Sequence, residues 1–427
     1  MQDTRLQYKI KTSNRITSAV GPVVRASGNF RIGDICEIDV GDGQHILSEV
    51  IGFDDGGALL TPYGALTGVS SLSPIRNVSG GFMVPVGDPL LGRVLDGQGQ
   101  PIDGHGSFGS TQYFPSDNEP PSAMTRPLIA DIFSTGVRAI DGLLTCAVGQ
   151  RIGIFAAAGG GKTTLLSMMI RFAECDRVVV ALIGERGREV REFVEESLGS
   201  AGMARSVVVV ATSDRPSVEQ VQAAYTATAI AEAFREEGHK VLLMVDSLTR
   251  FARAQRQIGL SAGEPPTRRG FPPSVFSKLP KLVERSGNSD NGSITAFYTV
   301  LMEGDDMNEP VADETRSLLD GHIILSREVA KSGRYPAIDI LASASRVMNQ
   351  VVTREHQDEA IHFKELYDAY AENELLIKIG EYQSGGDPIV DKAISLREQM
   401  LAFLKQRVDE PNPIEDTLSA LNEMVGG

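Results

Sequence analysis

The stretch AAAGGGKT, residues 156–163, decides how the rest of this sequence is interpreted. It matches the phosphate-binding loop pattern G-x-x-x-x-G-K-[ST] at Gly161, Lys162 and Thr163, but Ala156 occupies the first glycine position. An apolar segment, IGIFA, precedes the loop, and a helix-like segment, KTTLLSMMIRF, follows it. This strand–turn–helix order is the context in which such loops bind phosphate, so the question is whether Ala156 is tolerated.

Three consecutive glycines give the loop the backbone freedom that a phosphate cradle requires. Gly159, Gly160 and Gly161 can turn successive N–H groups toward one point, and the amino terminus of the following helix adds positive potential. Ala156 precedes this cradle at the end of the strand, where alanine costs little when φ is negative. The alternative is an ordinary glycine-rich turn between a strand and a helix.

The side chains near this loop match the chemistry of ATP and Mg²⁺ binding. Lys162 can reach the β- and γ-phosphates, Thr163 can give its hydroxyl to Mg²⁺, and Thr164 is placed to touch the α-phosphate. Two other apolar strands end in carboxylates. The strand KVLLMVD ends in Asp246, which would hold Mg²⁺ through water, and ALIGE ends in Glu185, which would polarise the attacking water.

Both carboxylates also have simpler interpretations. Asp246 could cap the end of its strand, although a nearby phosphate-loop lysine favours the metal-binding role. Glu185 could instead form a surface ion pair with Arg186 or Arg188.

The segments around these motifs predict an open α/β sheet. Five nearly continuous apolar runs are typical of strands buried on both faces of a parallel sheet: RIGIFAAA, RVVVALIG, SVVVVATS, KVLLMVDS and SITAFYTVL. Helix-period segments lie between them, including KTTLLSMMIRFAE, EVREFVEESL and SVEQVQAAYTATAIAEAFREE. The alternation of strands and helices places this region in the α/β class.

The two ends of the chain have different patterns. From Ile16 to about Gly81, short β-rich runs separated by Gly, Asp and Asn predict a small antiparallel barrel or sandwich. The segment 84–104 is dense in Gly, Asp and Pro, and we expect it to be a hinge. Beyond Val351 the patterns are helical, in EHQDEAIHFKELYDAYAENELLIKIG and in residues 391–407.

The carboxy-terminal region carries most of the net charge. The chain has 41 basic and 56 acidic residues, a formal net charge of −15, and the 77 residues from Val351 hold 7 basic and 16 acidic ones. Such a surface repels nucleic acid and anionic lipid and would suit a basic partner. Solvated acidic helix faces are the simpler interpretation.

The overall composition is that of a soluble globular protein. The 427 residues suffice for three domains at ~150 residues each. The sequence has no apolar stretch of the ~20 residues that cross a bilayer, and MQDTRLQYKIKTSNR lacks the apolar core of a signal peptide, so a cytosolic location is expected. Cys36, Cys146 and Cys175 predict neither a disulfide framework nor a metal site.

Several longer segments resemble the rotary-type hexameric ATPases of protein secretion, which are relatives of the catalytic subunit of ATP synthase. They are GERGREVREFVE, ATSDRPS, DSLTRFARAQRQIGLSAGEPPTRRGFPPSVF, GSITAFYTVL, ADETRSLLDGHIILSR and YPAIDILASASRV. Within that group the chain resembles the ATPases of type III secretion injectisomes, on the stretch EGDDMNEPVADETRSLLDGHI. Alanine at position 156 is usual in that group, so a functional loop is expected.

This resemblance extends from GPVV near residue 21 to GEYQSG near residue 384 and implies a three-domain chain. We expect an amino-terminal β-barrel domain over residues 1–82 and a carboxy-terminal helical domain over residues 350–427. Between them, residues 83–349 would form a RecA-like α/β domain, the parallel-sheet P-loop ATPase core.

The resemblance also assigns roles to single positions. It supports the roles given above to Lys162, Glu185 and Asp246. Tyr335, in RYPAID, matches an aromatic residue that stacks on adenine. Arg346, in SASRV, matches an arginine finger that reaches the γ-phosphate of a neighbouring subunit, and its planar fork suits phosphate oxygens. Because one chain carries both features, a homo-hexamer is implied.

Partners follow from the same resemblance. The loop GEPPTRRGFPPS, residues 263–274, carries Arg268 and Arg269 at its tip, and the matching loop lines the central hole of the ring, where a coiled-coil stalk would pass. A stator protein is expected on the amino-terminal side, and secretion chaperone–effector complexes and the export gate on the carboxy-terminal side. No nucleic acid partner is expected, and the ring would associate peripherally with the cytoplasmic face of the inner membrane.

The predicted function is ATP hydrolysis that energises type III protein secretion through chaperone release, cargo unfolding and delivery. One alternative is the flagellar protein export ATPase, and another is a catalytic subunit of a proton-translocating rotary ATPase. An RNA-translocating helicase should need a basic groove with stacking aromatic residues, which the barrel region does not offer. A non-catalytic scaffold is disfavoured by the presence of Lys162, Glu185 and Asp246.

Overall fold

The computed structural model of the protein describes residues 14–109, 111–157, 159–303 and 306–426. The prediction about a signal peptide, and the start of the predicted first domain, lie outside these residues. Within them, no helix combines the length and the apolar character needed to cross a membrane.

The amino-terminal region is a six-stranded antiparallel barrel, as predicted from its short β-rich runs. Its strands are Arg15–Val20, Val23–Ser27, Ile35–Gly41, Gln44–Asp54, Gly57–Pro62 and Ile75–Ser79. The first and sixth strands form the edges of the sheet, and a bridge between Arg15 and Pro74 brings them together. A separate apolar core that includes Val24, Ile38 and Leu60 fills the interior. Closure of this kind removes exposed strand edges.

The middle of the chain forms a mostly parallel nine-stranded sheet, which confirms the predicted α/β core. From edge to edge its main strands are Ile338–Ser345, Gly321–Leu325, Arg151–Ala156, Ser293–Leu301, Lys240–Asp246, Arg177–Ile183, Ser206–Ala211 and Val94–Asp96. Of these, Ile338–Ser345 runs antiparallel to its neighbour, as does the short ninth strand Gly287–Asn288. The described residues of the five predicted apolar runs are almost entirely buried, and each run contains a strand of this sheet.

Helices cover both faces of this sheet and bury its apolar side chains in two large clusters and a small third one. They are Arg138–Leu143, Lys162–Phe172, Gly187–Glu192, Gly199–Met203, Ser217–Glu236, Leu248–Ser261, Pro273–Val283, Pro310–Leu318, Arg327–Lys331 and Met348–Val351. A π-helical segment, Phe193–Leu198, and two 3₁₀ turns, Asp88–Leu90 and Arg268–Gly270, complete the set. Two small antiparallel sheets pair Met83–Val86 with Gln112–Pro115 and Ile132–Phe133 with Cys146–Ala147.

The carboxy-terminal region consists of three helices, Arg354–Lys378, Pro388–Leu404 and Ile414–Val425. The first two confirm the predicted helical patterns, whereas the third lies beyond them. Phe363 and Phe403 on these helices belong to the same apolar cluster as one face of the central sheet. The helical region is therefore packed on the central α/β region, and the predicted boundaries after residues 82 and 349 stay predictions.

The expectation of a hinge at residues 84–104 is wrong. The strand Val94–Asp96 within this segment pairs with Ser206–Ala211 and forms one edge of the central sheet. The carboxylate of Asp96 accepts hydrogen bonds from the N–H groups of Gln98 and Gln100, so the Gly- and Asp-rich sequence forms a tight turn instead.

Candidate nucleotide-binding site

The phosphate-binding loop lies at the carboxyl ends of the parallel strands, where open α/β sheets bind ligands. Gly159 and Gly161 adopt φ values of +81° and +82°, a region that glycine enters without steric cost. Ala156 is still part of the strand and pairs with Leu301 and Leu325 on its two sides. Glycine is therefore not required at position 156, and the loop keeps its glycines where the backbone needs them.

Three strand ends bring Lys162, Glu185 and Asp246 together. The Nζ of Lys162 lies 2.6 Å from Asp246 Oδ1 and 3.3 Å from Glu185 Oε1. This contact arises because the strands Lys240–Asp246 and Arg177–Ile183 are direct neighbours and run parallel. Both carboxylates therefore lie at the carboxyl ends of the strands, on the same side of the sheet. The structure thus assembles the three residues that the sequence places far apart.

The alternative ion pairs of Glu185 are not formed. Arg186 pairs with Glu189 and Arg188 pairs with Glu192, along the exposed helix that follows. Glu185 turns inward to the lysine instead, with 14% of its side chain exposed.

Burial and charge together set the protonation of this cluster. Burial acts to lower the pKa of Lys162, but Asp246 and then Glu185 outweigh it, so the pKa lies above the ordinary value and the lysine stays charged. Burial raises the pKa of Glu185; the lysine opposes this and Asp246 adds to it. The result is a desolvated cation held between two carboxylates.

The cleft above these residues has a volume of about 660 Å³ and contains a second basic side chain that the sequence interpretation missed. Arg250 lies one helical turn beyond Asp246 and packs under Gly184, and its buried Nε has no hydrogen-bond partner among the described groups. The available signal was its spacing, since the first turn of a helix after a strand-end carboxylate faces the same cleft.

Tyr335 lies on the outer side of the same loop. Its ring packs so closely on Gly161 that a Cβ there would come within 3.2 Å of it. A second cleft of about 430 Å³ lies beside the ring and is also lined by Thr164, Gly333 and residues 405–409. The carboxy-terminal region therefore provides one wall, which the sequence interpretation did not find.

A network of hydrogen bonds fixes this wall to the central α/β region. The backbone N–H of Gln406 donates to Tyr335 O at 2.9 Å, and its side-chain amide donates to Gly136 O and accepts from the N–H of Arg138. The guanidinium of Arg138 donates to the carbonyls of Phe403 and Lys405. The segment cannot move away from Tyr335 without breaking these bonds.

Arg346 lines neither the cleft above Lys162 nor the cleft beside Tyr335. It is exposed, directly follows the edge strand Ile338–Ser345, and donates a hydrogen bond to Arg316 O at 3.3 Å. Ser345 pairs with Gly321, at the end of the neighbouring strand opposite to the loop. At ~3.3 Å per residue, the eight-residue strand keeps Arg346 roughly 20 Å or more from the loop of its own chain.

The oxygen ligands that line the cleft suit Mg²⁺, which is bound partly by phosphates and water. They do not suit a metal ion that is coordinated by protein side chains alone. The hydroxyl of Thr163 and the carboxylate of Asp246 both line it. Among the described residues, no group of three or more His, Cys, Asp or Glu could hold a metal ion. One or two oxygen ligands completed by phosphates and water is the usual pattern for Mg²⁺.

The loop 263–274 keeps its arginines at the surface, held by acidic side chains. Arg268 forms ion pairs with Asp313 and Glu314, and Arg269 with Asp306. Both arginines remain more than half exposed, so they can exchange these partners for others.

Three family profiles match the chain in order. The beta-barrel domain of the ATP synthase alpha/beta family matches residues 16–78, the nucleotide-binding domain of the same family matches 136–345, and the T3SS EscN ATPase C-terminal domain matches 352–423.

Similar proteins cover nearly the whole chain. The type 3 secretion system ATPase of Sinorhizobium fredii is 52% identical over 412 residues, 96% of this chain and 91% of that protein. The one from Xanthomonas euvesicatoria is also 52% identical, over 96% and 93%. The flagellum-specific ATP synthase of Bacillus subtilis is 47% identical over 97% and 96%.

Solved structures agree with this pattern. The assembled ATPase EscN from the type III secretion system of enteropathogenic E. coli matches with a TM-score of 0.92 and 47% identity, covering 96% of this chain and all of that one. The same ATPase in complex with its central stalk, EscO, matches with a TM-score of 0.90, 47% identity and the same coverage.

Proposed function

This chain belongs to the type 3 secretion system ATPases of the ATP synthase alpha/beta family, and we propose that its cluster of Lys162, Glu185 and Asp246 hydrolyses ATP. The chain is an ATPase of type III secretion, since the relatives with that name are more similar to it than the flagellar ones. The proposal concerns which side chains do the chemistry. The observation that carries it is the contact of one partly buried lysine with two carboxylates beside the phosphate-binding loop.

The phosphates would bind to the loop and to two cations of the same chain. The N–H groups of residues 159–161 and the helix amino terminus form the cradle. Lys162 would contact the β- and γ-phosphates, and Thr164 the α-phosphate. Arg250 is suited to a terminal phosphate because it lines the same cleft and its guanidinium matches phosphate oxygens.

The metal side of the site would be formed by Thr163 and Asp246. Bound Mg²⁺ would neutralise charge on the phosphate oxygens, which is the main requirement of phosphoryl transfer. Thr163 would donate its hydroxyl oxygen as a ligand, and Asp246 would hold metal-bound water through its second oxygen, Oδ2. The first oxygen already accepts a hydrogen bond from Lys162.

Glu185 would orient the attacking water and accept its proton at the carboxylate. Its pKa is raised by burial, which makes it a better base than an exposed glutamate while the adjacent lysine favours its ionised form. We therefore expect the rate of ATP hydrolysis to fall on acidification. The midpoint of this fall should lie above pH 4.5, the ordinary pKa of a glutamate.

The adenine base would occupy the second cleft, stacked on Tyr335 against the wall formed by residues 405–409. Arg346 would complete the site of a neighbouring chain. We therefore propose a homo-hexameric ring in which every chain supplies both a loop and a finger.

We propose that the loop 263–274 faces the centre of that ring and contacts a coiled-coil stalk, as EscN is found in complex with its central stalk. The exposed Arg268 and Arg269 would meet acidic stalk residues. A stator protein would bind on the barrel side of the ring, which would lie at the cytoplasmic face of the inner membrane.

The carboxy-terminal helices would receive chaperone–effector complexes and face the export gate. Their 16 acidic residues, against 7 basic ones from Val351 onward, support a basic docking partner. Removal of this region is a poor test, because Phe363 and Phe403 share the core of the ATPase domain. Charge-neutralising substitutions on its surface keep that core.

The catalytic assignment is tested by Glu185→Gln. The variant should bind Mg-ATP with unchanged affinity and hydrolyse it at least ~100-fold more slowly, because a positioned base typically contributes ~10²–10⁴. Glu195→Gln is the matched control, since Glu195 is an exposed glutamate paired with Arg191 nearby. Wild-type turnover in Glu185→Gln would remove that residue from the mechanism.

A further inference from the structure

Thr299 places a buried hydroxyl directly against the carboxylate of Asp246. It lies in the strand Ser293–Leu301, between the strand that precedes the phosphate-binding loop, Arg151–Ala156, and the strand that ends in Asp246. Its side chain is 1% exposed, and its Oγ1 donates a hydrogen bond to Asp246 Oδ1 at 2.6 Å. The contact follows from the sheet register, in which Tyr298 pairs with Val245, one residue earlier on both strands.

A threonine at this position needs a reason, because the strand is buried on both faces. Valine has the same shape and would fit an apolar strand without a polar atom to satisfy. Burying a hydroxyl is unfavourable unless it is hydrogen-bonded, and a bond to a carboxylate is among the stronger ones. The other acceptor, Val245 O, is farther away at 3.4 Å. The hydroxyl proton is therefore directed at Asp246.

This hydrogen bond restricts the orientation of the carboxylate. Asp246 Oδ1 accepts from Thr299 and from Lys162, both at 2.6 Å. Lys162 is a flexible side chain that the phosphates of ATP would attract, whereas Thr299 is fixed within the sheet. With Oδ1 tied to the strand, Oδ2 is held in one direction.

We propose that Thr299 is a positioning residue for ATP hydrolysis, which fixes Asp246 so that Oδ2 would stay available to hydrated Mg²⁺. This inference rests on the proposed role of Asp246. It predicts that the hydroxyl of Thr299 matters for the response to Mg²⁺ and not for nucleotide binding in its absence.

The test compares three substitutions of buried threonines. Thr299→Val removes the hydroxyl and keeps the shape, and Thr299→Ser keeps the hydroxyl. Thr295→Val is the matched control: Thr295 is equally buried on the same strand, four residues earlier, and its hydroxyl accepts a hydrogen bond from the N–H of Gly149. Thermal unfolding shows that each variant is folded; Thr299→Ala serves if the valine variant is not.

The measurements are the Mg²⁺ concentration for half-maximal ATPase activity and the affinity for a fluorescent ATP analogue, with Mg²⁺ and with EDTA. Thr299→Val should need about 10- to 100-fold more Mg²⁺, as is typical when a residue that orients a metal-side ligand is removed. Its affinity in EDTA should not change. Thr299→Ser should restore the wild-type Mg²⁺ requirement, and Thr295→Val should retain it.

Asp246→Asn separates this inference from the proposed function. If that variant keeps the wild-type response to Mg²⁺, Asp246 is not on the metal side and both ideas are overturned. If Asp246→Asn loses the response while Thr299→Val keeps it, only the positioning role of Thr299 is overturned. The same holds if Thr295→Val shifts the Mg²⁺ requirement as much as Thr299→Val does.

Discussion

Tyr335 and Arg346 flank one edge strand, Ile338–Ser345, and lie on opposite sides of the same ATPase domain. Tyr335 packs on Gly161 of its own loop, whereas Arg346 follows the residue that pairs with Gly321 at the other end. One chain would therefore offer a base-stacking residue to its own cleft and, under the proposed function, a finger to another. In a ring of identical chains, each cleft would draw its base contact from one chain and its arginine from the next.

We predict that Arg346→Ala removes most ATPase activity without preventing nucleotide binding. Arginine fingers supplied in trans contribute ~10³–10⁵ to related phosphoryl transfers, although a partly active ring would lose less. Arg346→Lys should rescue poorly, because lysine keeps the charge but loses the planar fork. Steady-state ATPase assays and gel filtration separate loss of catalysis from loss of assembly.

Mixing two inactive variants tests the trans arrangement directly. Arg346→Ala has an intact loop and Lys162→Ala has an intact finger, so rings containing both should recover activity wherever the intact parts face each other. If subunits exchange and no mixing ratio exceeds the two separate baselines, Arg346 does not act across an interface.

Tyr335 gives a second prediction. Tyr335→Ala should weaken ATP binding by roughly 1–3 kcal/mol, the usual contribution of an aromatic ring stacked on a base, while Tyr335→Phe should bind like wild type. The loss should be similar for GTP, because stacking does not read the base edge. Titration of a fluorescent nucleotide measures it, and equal affinities for wild type and Tyr335→Ala would contradict the assignment.

The parts of this architecture that local patterns encode could be predicted from the sequence. The apolar runs predicted the buried parallel strands. The phosphate-binding loop and the carboxylates at the strand ends predicted Lys162, Glu185 and Asp246 as site residues. These motifs are informative because the carboxyl ends of parallel strands lie side by side, where open α/β sheets bind ligands.

The parts that depend on tertiary packing could not be predicted. Val94–Asp96 joins the central sheet only through its pairing with Ser206–Ala211, over a hundred residues away, so its turn-rich sequence looked like a hinge. The wall of the base cleft, residues 405–409, comes from a different region of the chain and has no motif. Thr299 lies unmarked within an apolar run, and only the register places it beside Asp246.

A third prediction concerns stability and the buried ion pair between Arg285 and Glu232. Arg285 and Glu232 are almost fully buried and form a bidentate contact with distances of 2.8 and 2.6 Å, and Arg285 also donates to Ser116 O. Glu232→Leu or Arg285→Met alone should destabilise the protein by about 3–5 kcal/mol, since each leaves a buried charge unpaired. The double variant Glu232→Leu with Arg285→Met should lose less than the sum of the two single changes. Urea unfolding measures all three, and strict additivity would contradict the pairing.

Glu219 provides the last prediction, which concerns stability and pH. It lies on the first turn of Ser217–Glu236 with 2% of its side chain exposed. Burial raises its pKa from 4.5 to about 7; Arg215 opposes the shift, and Asp96 and Asp214 add to it. Because the folded-state pKa is above the unfolded one, the native state binds the proton more tightly between these values. The stability contributed by this proton is present below about pH 4.5 and is lost as the pH rises through about 7.

Glu219→Gln keeps the size of the side chain and removes its titration. The variant should resemble the wild type near pH 5 and be more stable by roughly 2 kcal/mol at pH 8, where the wild type must hold a buried charge. Thermal unfolding at pH 5, 6, 7 and 8 measures the difference, and Glu398→Gln, at a glutamate that is 84% exposed, is the control. A difference between Glu219→Gln and wild type that stays constant over this range would mean that the native protein holds Glu219 with the pKa of an unfolded chain. In that case Arg215 offsets the effect of burial on the pKa, and the carboxylate is a conventional ion-pair partner rather than a destabilising buried acid.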